Sequence, residues 1–367
     1  MKFYIIAGER SGDLHGSNLI KALKQQQPNA EIRCWGGDAM EKAGGELVTH
    51  YREMAYMGFW EVFKHLGTIR KKITYCKEDI LAFKPDAIIL IDYAGFNLRI
   101  AQFAKAHDIP VHYYISPKVW AWNQKRALKI KRNVDYMYVI LPFEKEFYKR
   151  FDFEVDYVGN PLLDAIRDFK PSESFAFKAQ DVIAVLPGSR QQEVEHMLDN
   201  LHKVTQKFPE EHFVVAGVKN LDKSLYTKVE NQKNVNLVFE ETYDLLSYAK
   251  AALVTSGTAT LETALFNVPQ VVVYKTGKIS YAIAKNVVKV KFISLVNLIL
   301  QKEAVKELIQ EKFTLENLVV ELKAILPNGN KRDQVLKDYK VLKDLMGDEN
   351  TSQKTADLII SRINHNL

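Results

Sequence analysis

Asp92 ends the apolar run DAIILID (86–92), a position suited to proton chemistry. A buried strand strips water from the acid at its tip, which raises the pKa and favours a general base. The plainer alternative is a cap for a helix beginning near Phe96 or Asn97. Asn97 and Arg99 add polar and cationic groups to the same corner. More acids sit in IIAGERSGDLHG (5–16), where Gly8, Gly12 and Gly16 follow an apolar strand. Their spacing is neither the dinucleotide fingerprint nor a P-loop, and Glu9 and Asp13 would repel a phosphate on the turn. Two readings remain. The turn is a plain strand-to-helix connection capped by Ser11 or Asp13, or it presents Glu9, Asp13 or His15 to sugar hydroxyls.

Groups suited to holding an anion lie later in the chain. LPGSRQQEVE (186–195) places a Pro-Gly turn with Gly188, then Ser189 and Arg190, where a strand gives way to a helix. A guanidinium beside the free N–H groups of a helix start attracts phosphates. TSGTATLETALF (255–266) repeats the arrangement, with Ser256, Gly257 and Thr258 opening a helix and Glu262 one turn in. Small residues there let a phosphate approach the backbone amides, and Glu262 is spaced to accept from ribose hydroxyls. Ordinary helix caps would also explain each motif. Their recurrence at two strand ends favours a nucleotide site.

The elements that must position these groups follow one pattern. Apolar runs at 3–7, 31–35, 86–92, 110–115 and 135–140 alternate with stretches of helical period. After a polar segment at 167–180, read as a linker, the pattern restarts with runs at 181–187, 212–217, 235–239, 251–257 and 269–275. Such strands separated by helices predict α/β architecture: two doubly wound parallel sheets with an interdomain cleft. The predicted domains are residues 1–166 and 181–345. From about Lys302 the tail reads as helical and polar. Residues 346–367 are expected to form a last helix that packs on the first domain or on a partner copy, so a homodimer stays open.

With 47% hydrophobic and 26% charged residues, the chain of 367 has ample material for packed cores and is far from disordered composition. Its net charge of +6 suits an anionic substrate or membrane surface. It contains no like-charge block resembling a nucleic-acid arm. Cys34 and Cys76 share no metal or redox spacing, which points to a reducing compartment. The first strand is expected to begin at Lys2 or Phe3, which would leave no room for a signal peptide, and no apolar run approaches the ~20 residues of a spanning helix.

One segment suggests a membrane surface. EMAYMGFWEVFKHLGTIRKK (53–72) carries Met57, Phe59, Trp60, Val62 and Phe63 ahead of Arg70, Lys71 and Lys72. These apolar positions suit a helix core. They also spread more widely around a helix than one buried stripe needs, as in an interfacial helix. YISPKVWAWNQKR (114–126) and KNVVKVKF (285–292) have similar aromatic or basic character.

Taken together, AGERSGDLHG, MGFWEV, KPDAIILIDYAGFNLR, YYISPKVWAW, LPFEKEFY, VGNPLLD, LPGSRQQEVE, SGTATLETAL and SLVNLI resemble the lipid-A-disaccharide synthases along nearly the whole chain. The resemblance implies the GT-B fold and an inverting, metal-independent glycosyltransferase with no cofactor. It implies transfer from UDP-2,3-diacylglucosamine to the 6-hydroxyl of 2,3-diacylglucosamine 1-phosphate (lipid X), giving a β-1,6 disaccharide and UDP. It further implies a peripheral protein on the cytoplasmic face of the inner membrane. Asp92 matches the family's catalytic aspartate, with Glu9 and Asp13 as competitors. Arg190 and the amides at Ser256–Thr258 would stabilise departing UDP, Glu262 would hold the ribose, and Asn297 matches an asparagine expected to line the donor site. Arg10, Ala94 and Val296 depart from the family pattern. Rival readings are a UDP-sugar epimerase, which has no use for an acyl-binding surface, and a non-catalytic UDP-sugar sensor, which needs no base at Asp92.

Overall fold

The computed structural model describes residues 1–53, 66–178, 181–219, 221–277, 281, 290–347 and 350–366. The chain divides into two compact units: Met1–Asp164 with Asp348–Leu367, and Ala165–Gly347. Each is built on a parallel sheet.

In the first unit the strands are β1 (Lys2–Ala7), β2 (Glu31–Gly36), β3 (Glu46–His50), β4 (Ala87–Ile91), β5 (Val111–Tyr114), β6 (Tyr136–Val139) and β7 (Asp156–Tyr157). Their order is β3-β2-β1-β4-β5-β6-β7. Strand order therefore reverses between β1 and β4, where Ala7 pairs with Ile91. Every residue of β4 is buried, which explains its uninterrupted apolar sequence. The carboxyl ends of two strands at such a reversal form the usual binding crevice of an open α/β sheet. Here those ends lead directly into Gly8–Glu9 and Asp92.

The second unit repeats this plan with β8 (Val182–Leu186), β9 (His212–Gly217), β10 (Val235–Phe239), β11 (Ala249–Thr255), β12 (Gln270–Tyr274) and β13 (Lys306–Ile309). The order β10-β9-β8-β11-β12-β13 puts its reversal between β8 and β11. Leu186 pairs with Val254 there, so the turns at 187–190 and 256–258 leave the sheet side by side.

Three details depart from the sequence expectation. The tail after Lys302 is not wholly helical, because Lys306–Ile309 adds parallel to β12 as an edge strand. Its four residues are too few, and too charged, to show a strand period. The segment read as a linker is partly packed: Phe175 is buried and stacks on Tyr248 at 5.8 Å, and the Ser172 N–H donates to Asp244 at 2.6 Å. Short β3 and β7 were not expected either.

The last helix, Thr351–Asn366, belongs to the first unit. Its Ala356, Ile359, Ile360 and Ile363 join the core of Phe3, Ile5, Leu19 and Ile89. Arg362 fastens it, bonding Asp156 at 2.6 Å and lying 4.4 Å from the Tyr136 ring centroid. No described helix is long and apolar enough to cross a membrane.

Candidate active site

Asp92 is the first residue beyond β4, and its backbone is left-handed with φ 43°; Tyr93 follows at φ 47°. Two successive non-glycine residues in this region cost on the order of 1–3 kcal/mol each, so the surroundings must enforce the turn. Asn97, fully buried, donates from Nδ2 to the carbonyls of Ile91 at 3.1 Å and Asp92 at 2.8 Å. The Tyr113 hydroxyl also donates to the Asp92 carbonyl. The facing turn makes room for Tyr93, since a Cβ on Gly8 would lie 2.2 Å from its ring. The helix that follows runs from Ala94 to Lys105 with Tyr93 at its N-cap, so the Asp92 side chain does not cap it.

That freedom has an electrostatic consequence. Burial, followed by the negative charge of Glu9, pushes the Asp92 carboxyl up to about 6, with Lys118 and the Tyr93 N–H opposing. Such a group stays ionised at neutral pH and is basic enough to take a proton from an alcohol in a transition state. Glu9 is exposed at the N-cap of helix Arg10–Gln26. His15 is half-buried and held neutral, its pKa lowered to about 4 by burial.

Asp13 does not fit the role expected of it. It lies inside helix Arg10–Gln26 rather than capping it, and it is buried. Its carboxylate accepts N–H bonds from Gly37 (2.8 Å), Ala39 (3.2 Å) and Met40 (3.0 Å), thereby capping the short helix Asp38–Lys42. A buried acid held by three backbone N–H groups is fixed in place by the fold rather than presented at the sheet edge.

In the second unit, Gly188 adopts φ 101°, and a Cβ there would meet Glu193 Oε2 at 2.5 Å. The turn closes on Glu193, which accepts from the N–H groups of Ser189 and Arg190, both at 3.3 Å. Those two amides are thus engaged, contrary to their expected openness to an anion. The Arg190 side chain remains 79% exposed. It lines a cleft of about 450 Å³ with Gln191, Gln192, Tyr274, Lys275 and Thr276, and with Glu193 and Glu195 on the same wall. Lys275, at the tip of β12, is a cation that sequence reasoning missed. No motif surrounds it, and only its strand's place beside β11 brings it there.

At the tip of β11 the three small residues divide. Ser256 is a tether, donating from Oγ to the Ile293 carbonyl at 2.9 Å and from its N–H to Val273 at 2.9 Å. Gly257 and Thr258 are exposed at the start of helix Thr258–Leu265, and a Cβ at Gly257 would touch nothing within 4 Å. Backbone amides there remain open to an anion. Glu262 is half-buried, raised in pKa by burial, and accepts from the Tyr243 hydroxyl at 2.9 Å. Tyr243, 19 positions away, carries no sequence signal of this pairing.

Asn297 is also corrected. It is fully buried, and its amide is fully engaged. Nδ2 donates to Val305 and to Glu307 Oε1, both at 2.8 Å, while Oδ1 accepts from Ala304 at 2.8 Å and Val305 at 2.9 Å. It fastens helix Leu295–Leu300 to β13 rather than lining a ligand surface.

Met57, Phe59, Trp60, Val62 and Phe63 lie outside the described residues. Of the second aromatic segment, Trp120 is core, donating from Nε1 to Glu144 at 3.2 Å. Burial lifts the Glu144 carboxyl to about 7. Trp122 is 45% exposed.

A family profile described as Lipid-A-disaccharide synthetase matches residues 3–360. The chain belongs to that family. It is 37% identical to the lipid-A-disaccharide synthase of Syntrophus aciditrophicus, covering 98% of this chain and 97% of the relative. The Psychromonas ingrahamii synthase is 36% identical with 98% of both covered, and that of Geobacter sulfurreducens 31% identical with 99% and 97% covered. Among solved structures, the Neisseria meningitidis UDP-GlcNAc 2-epimerase bound to UDP-GlcNAc superposes with TM-score 0.71 at 13% identity, with 100% of both chains covered. The glycotransferase of kitacinnamycin gives 0.69 at 13%, with 99% of both covered. These structures share the fold, two Rossmann-like units of GT-B type. The sequence relationship lies with the synthases, not with the epimerases. Lipid-A-disaccharide synthetase family members are glycosyltransferases of lipid A synthesis, and this chain forms the lipid A disaccharide from a nucleotide-activated acylated sugar and its acylated partner.

Proposed function

We propose that this synthase transfers the sugar of UDP-2,3-diacylglucosamine to lipid X by a single in-line displacement, inverting and without a metal. Asp92 takes the proton of the acceptor's 6-hydroxyl. The oxygen bonds to the anomeric carbon as the bond to the diphosphate breaks, and UDP leaves with the electron pair. The observation that carries this reading is the Asp92 carboxyl, poised at about 6 on a strand-order reversal and withheld from helix capping. Glu9 assists by repelling the Asp92 charge, which makes that carboxylate more basic. Asp13 and Asn297 hold structure and take no part in the chemistry.

Arg190 and the amides of Gly257 and Thr258 receive the negative charge that builds on the departing diphosphate. Those groups do for the leaving group what a divalent ion does in other transferases. Glu262 binds the ribose by exchanging the Tyr243 hydroxyl for sugar hydroxyls. Met57, Phe59, Trp60, Val62 and Phe63 meet the acyl chains, and the protein works as a peripheral protein at the cytoplasmic face of the inner membrane. The deciding experiment follows UDP release from the two lipid substrates in detergent, with chelator present throughout, for the parent, Asp92→Asn and Arg190→Ala. Undiminished turnover in Asp92→Asn rejects the base. Loss of turnover on chelation, restored by a divalent ion, rejects metal independence.

A further inference from the structure

The segment following β5 combines exposed cations with exposed apolar side chains. Helix Arg126–Asn133 buries Ala127, Ile130 and Asn133, which turns its other face outward. Lys125, Leu128, Lys129 and Arg132 are exposed at i, i+3, i+4 and i+7, so they share one stripe. Trp122, the last residue of the short preceding helix Val119–Trp122, joins this surface through Arg126, whose guanidinium lies 5.0 Å from its ring centroid. Trp122 and Leu128 are 45% and 50% exposed, large values for apolar side chains. Among the described residues, no carboxylate pairs with Lys125, Lys129, Lys131 or Arg132, whereas nearby Lys105 is paired with Asp135.

Position matters as much as composition. β5 lies beside β4 and parallel to it. The chain leaving β5 therefore emerges on the same sheet edge as Asp92, and Lys118 in that stretch is near enough to act on the Asp92 charge. The stripe thus starts at the rim of the base's corner.

We propose that the stripe Trp122, Lys125, Leu128, Lys129 and Arg132 docks this synthase on a bilayer containing anionic lipid, independently of the segment at residues 57–63. Cations without acidic partners match anionic headgroups, and an indole and a leucine beside them enter the acyl boundary, a pairing that a purely charged ligand would not use. Docked there, the corner holding Asp92 sits close to the surface from which a lipid alcohol must be delivered. The proposal rests on the lipid-substrate reading but is tested apart from it.

The test is co-sedimentation of the full chain with phosphatidylcholine vesicles, with and without phosphatidylglycerol, at low and high salt. Each basic side chain near an anionic surface strengthens partition by about fivefold, so the triple variant Lys125→Ser, Lys129→Ser, Arg132→Ser should bind phosphatidylglycerol vesicles about a hundredfold more weakly. Trp122→Ala should weaken binding to the same vesicles by a smaller factor. Turnover on detergent-dispersed substrates should be unchanged in both variants. The docking assignment falls if the triple variant binds anionic vesicles like the parent, or if the parent ignores phosphatidylglycerol. It also falls if the triple variant loses turnover in detergent, which would place these cations on the substrate. A parent without turnover in detergent but with salt-sensitive vesicle binding would reject the transferase mechanism and leave the docking surface standing.

Discussion

The carboxyl edge of the first sheet and that of the second are built on one topology and carry opposite chemistry. At the first, Asp92 is half-buried, its backbone is strained into the left-handed region, and Asn97 and Tyr113 hold it from behind. At the second, Arg190, Lys275, Gly257 and Thr258 are exposed, and the turns carrying them are relaxed apart from Gly188. The difference suits the role proposed for each corner. A base gains proton affinity by losing water and by sitting near another negative charge. A leaving diphosphate needs donors that a ligand can reach and that already point at it. One corner therefore spends packing on desolvation, and the other leaves its groups open.

Substitutions at the two corners should separate these roles. Asp92→Asn should lower kcat by roughly 10²–10⁴-fold, the usual worth of a positioned general base, with thermal unfolding nearly unchanged. Arg190→Ala should lower kcat by about 10²–10³-fold and weaken inhibition by UDP, because it removes one donor from an open site. Such similar losses differ in their pH signature: Arg190→Ala keeps the acid limb of the parent, and Asp92→Asn abolishes it.

Gly8→Ala should be felt first in structure. A Cβ placed 2.2 Å from the Tyr93 ring must displace it, at a cost of about 1–3 kcal/mol of stability. The expected result is a lower Tm together with reduced kcat, since Tyr93 follows Asp92 directly. The equivalent change at Gly257, where a Cβ meets nothing, should leave Tm alone and raise the KM for donor. Glu9→Gln is the mildest and most diagnostic change. Turnover should rise as pH passes through about 6, where Asp92 becomes ionised. Removing the Glu9 charge eases that ionisation, so the acid limb of kcat/KM should move to lower pH. Lys118→Met should move it the other way. A limb that stays fixed in both variants would mean that another group titrates.

Much of this architecture can be read from the chain itself. The buried strands announce themselves as runs of Ile, Val, Leu and Ala bounded by turns, since a strand covered on both faces has no polar side to alternate. Asp92, Arg190 and Glu262 are visible as charged residues at the tips of such runs or one turn beyond. Asp13 and Asn297 look equally functional in the sequence, yet the Asp13 carboxylate is buried against three backbone N–H groups, and every donor and acceptor of the Asn297 amide is used within the fold. Motif membership does not distinguish a carboxylate that meets a substrate from one that ends a helix. The β13 strand escapes notice because Glu307, in its middle, is buried as the acceptor for Ser294 and Asn297 rather than exposed.

The amino-acid order by itself determined where the long apolar strands and most helices form, because burial period, turn residues and caps act over a few neighbouring positions. Which strand tips stand together was decided only by tertiary structure. Sheet order brings Gly8 against Tyr93, Glu9 within reach of the Asp92 charge, and Lys275 into the cleft with Arg190, across separations of roughly 80 residues that no local signal spans. The pKa of Asp92, the engagement of Asp13 and the openness of Thr258 all depend on those long-range neighbours, since desolvation and hydrogen bonding are properties of surroundings.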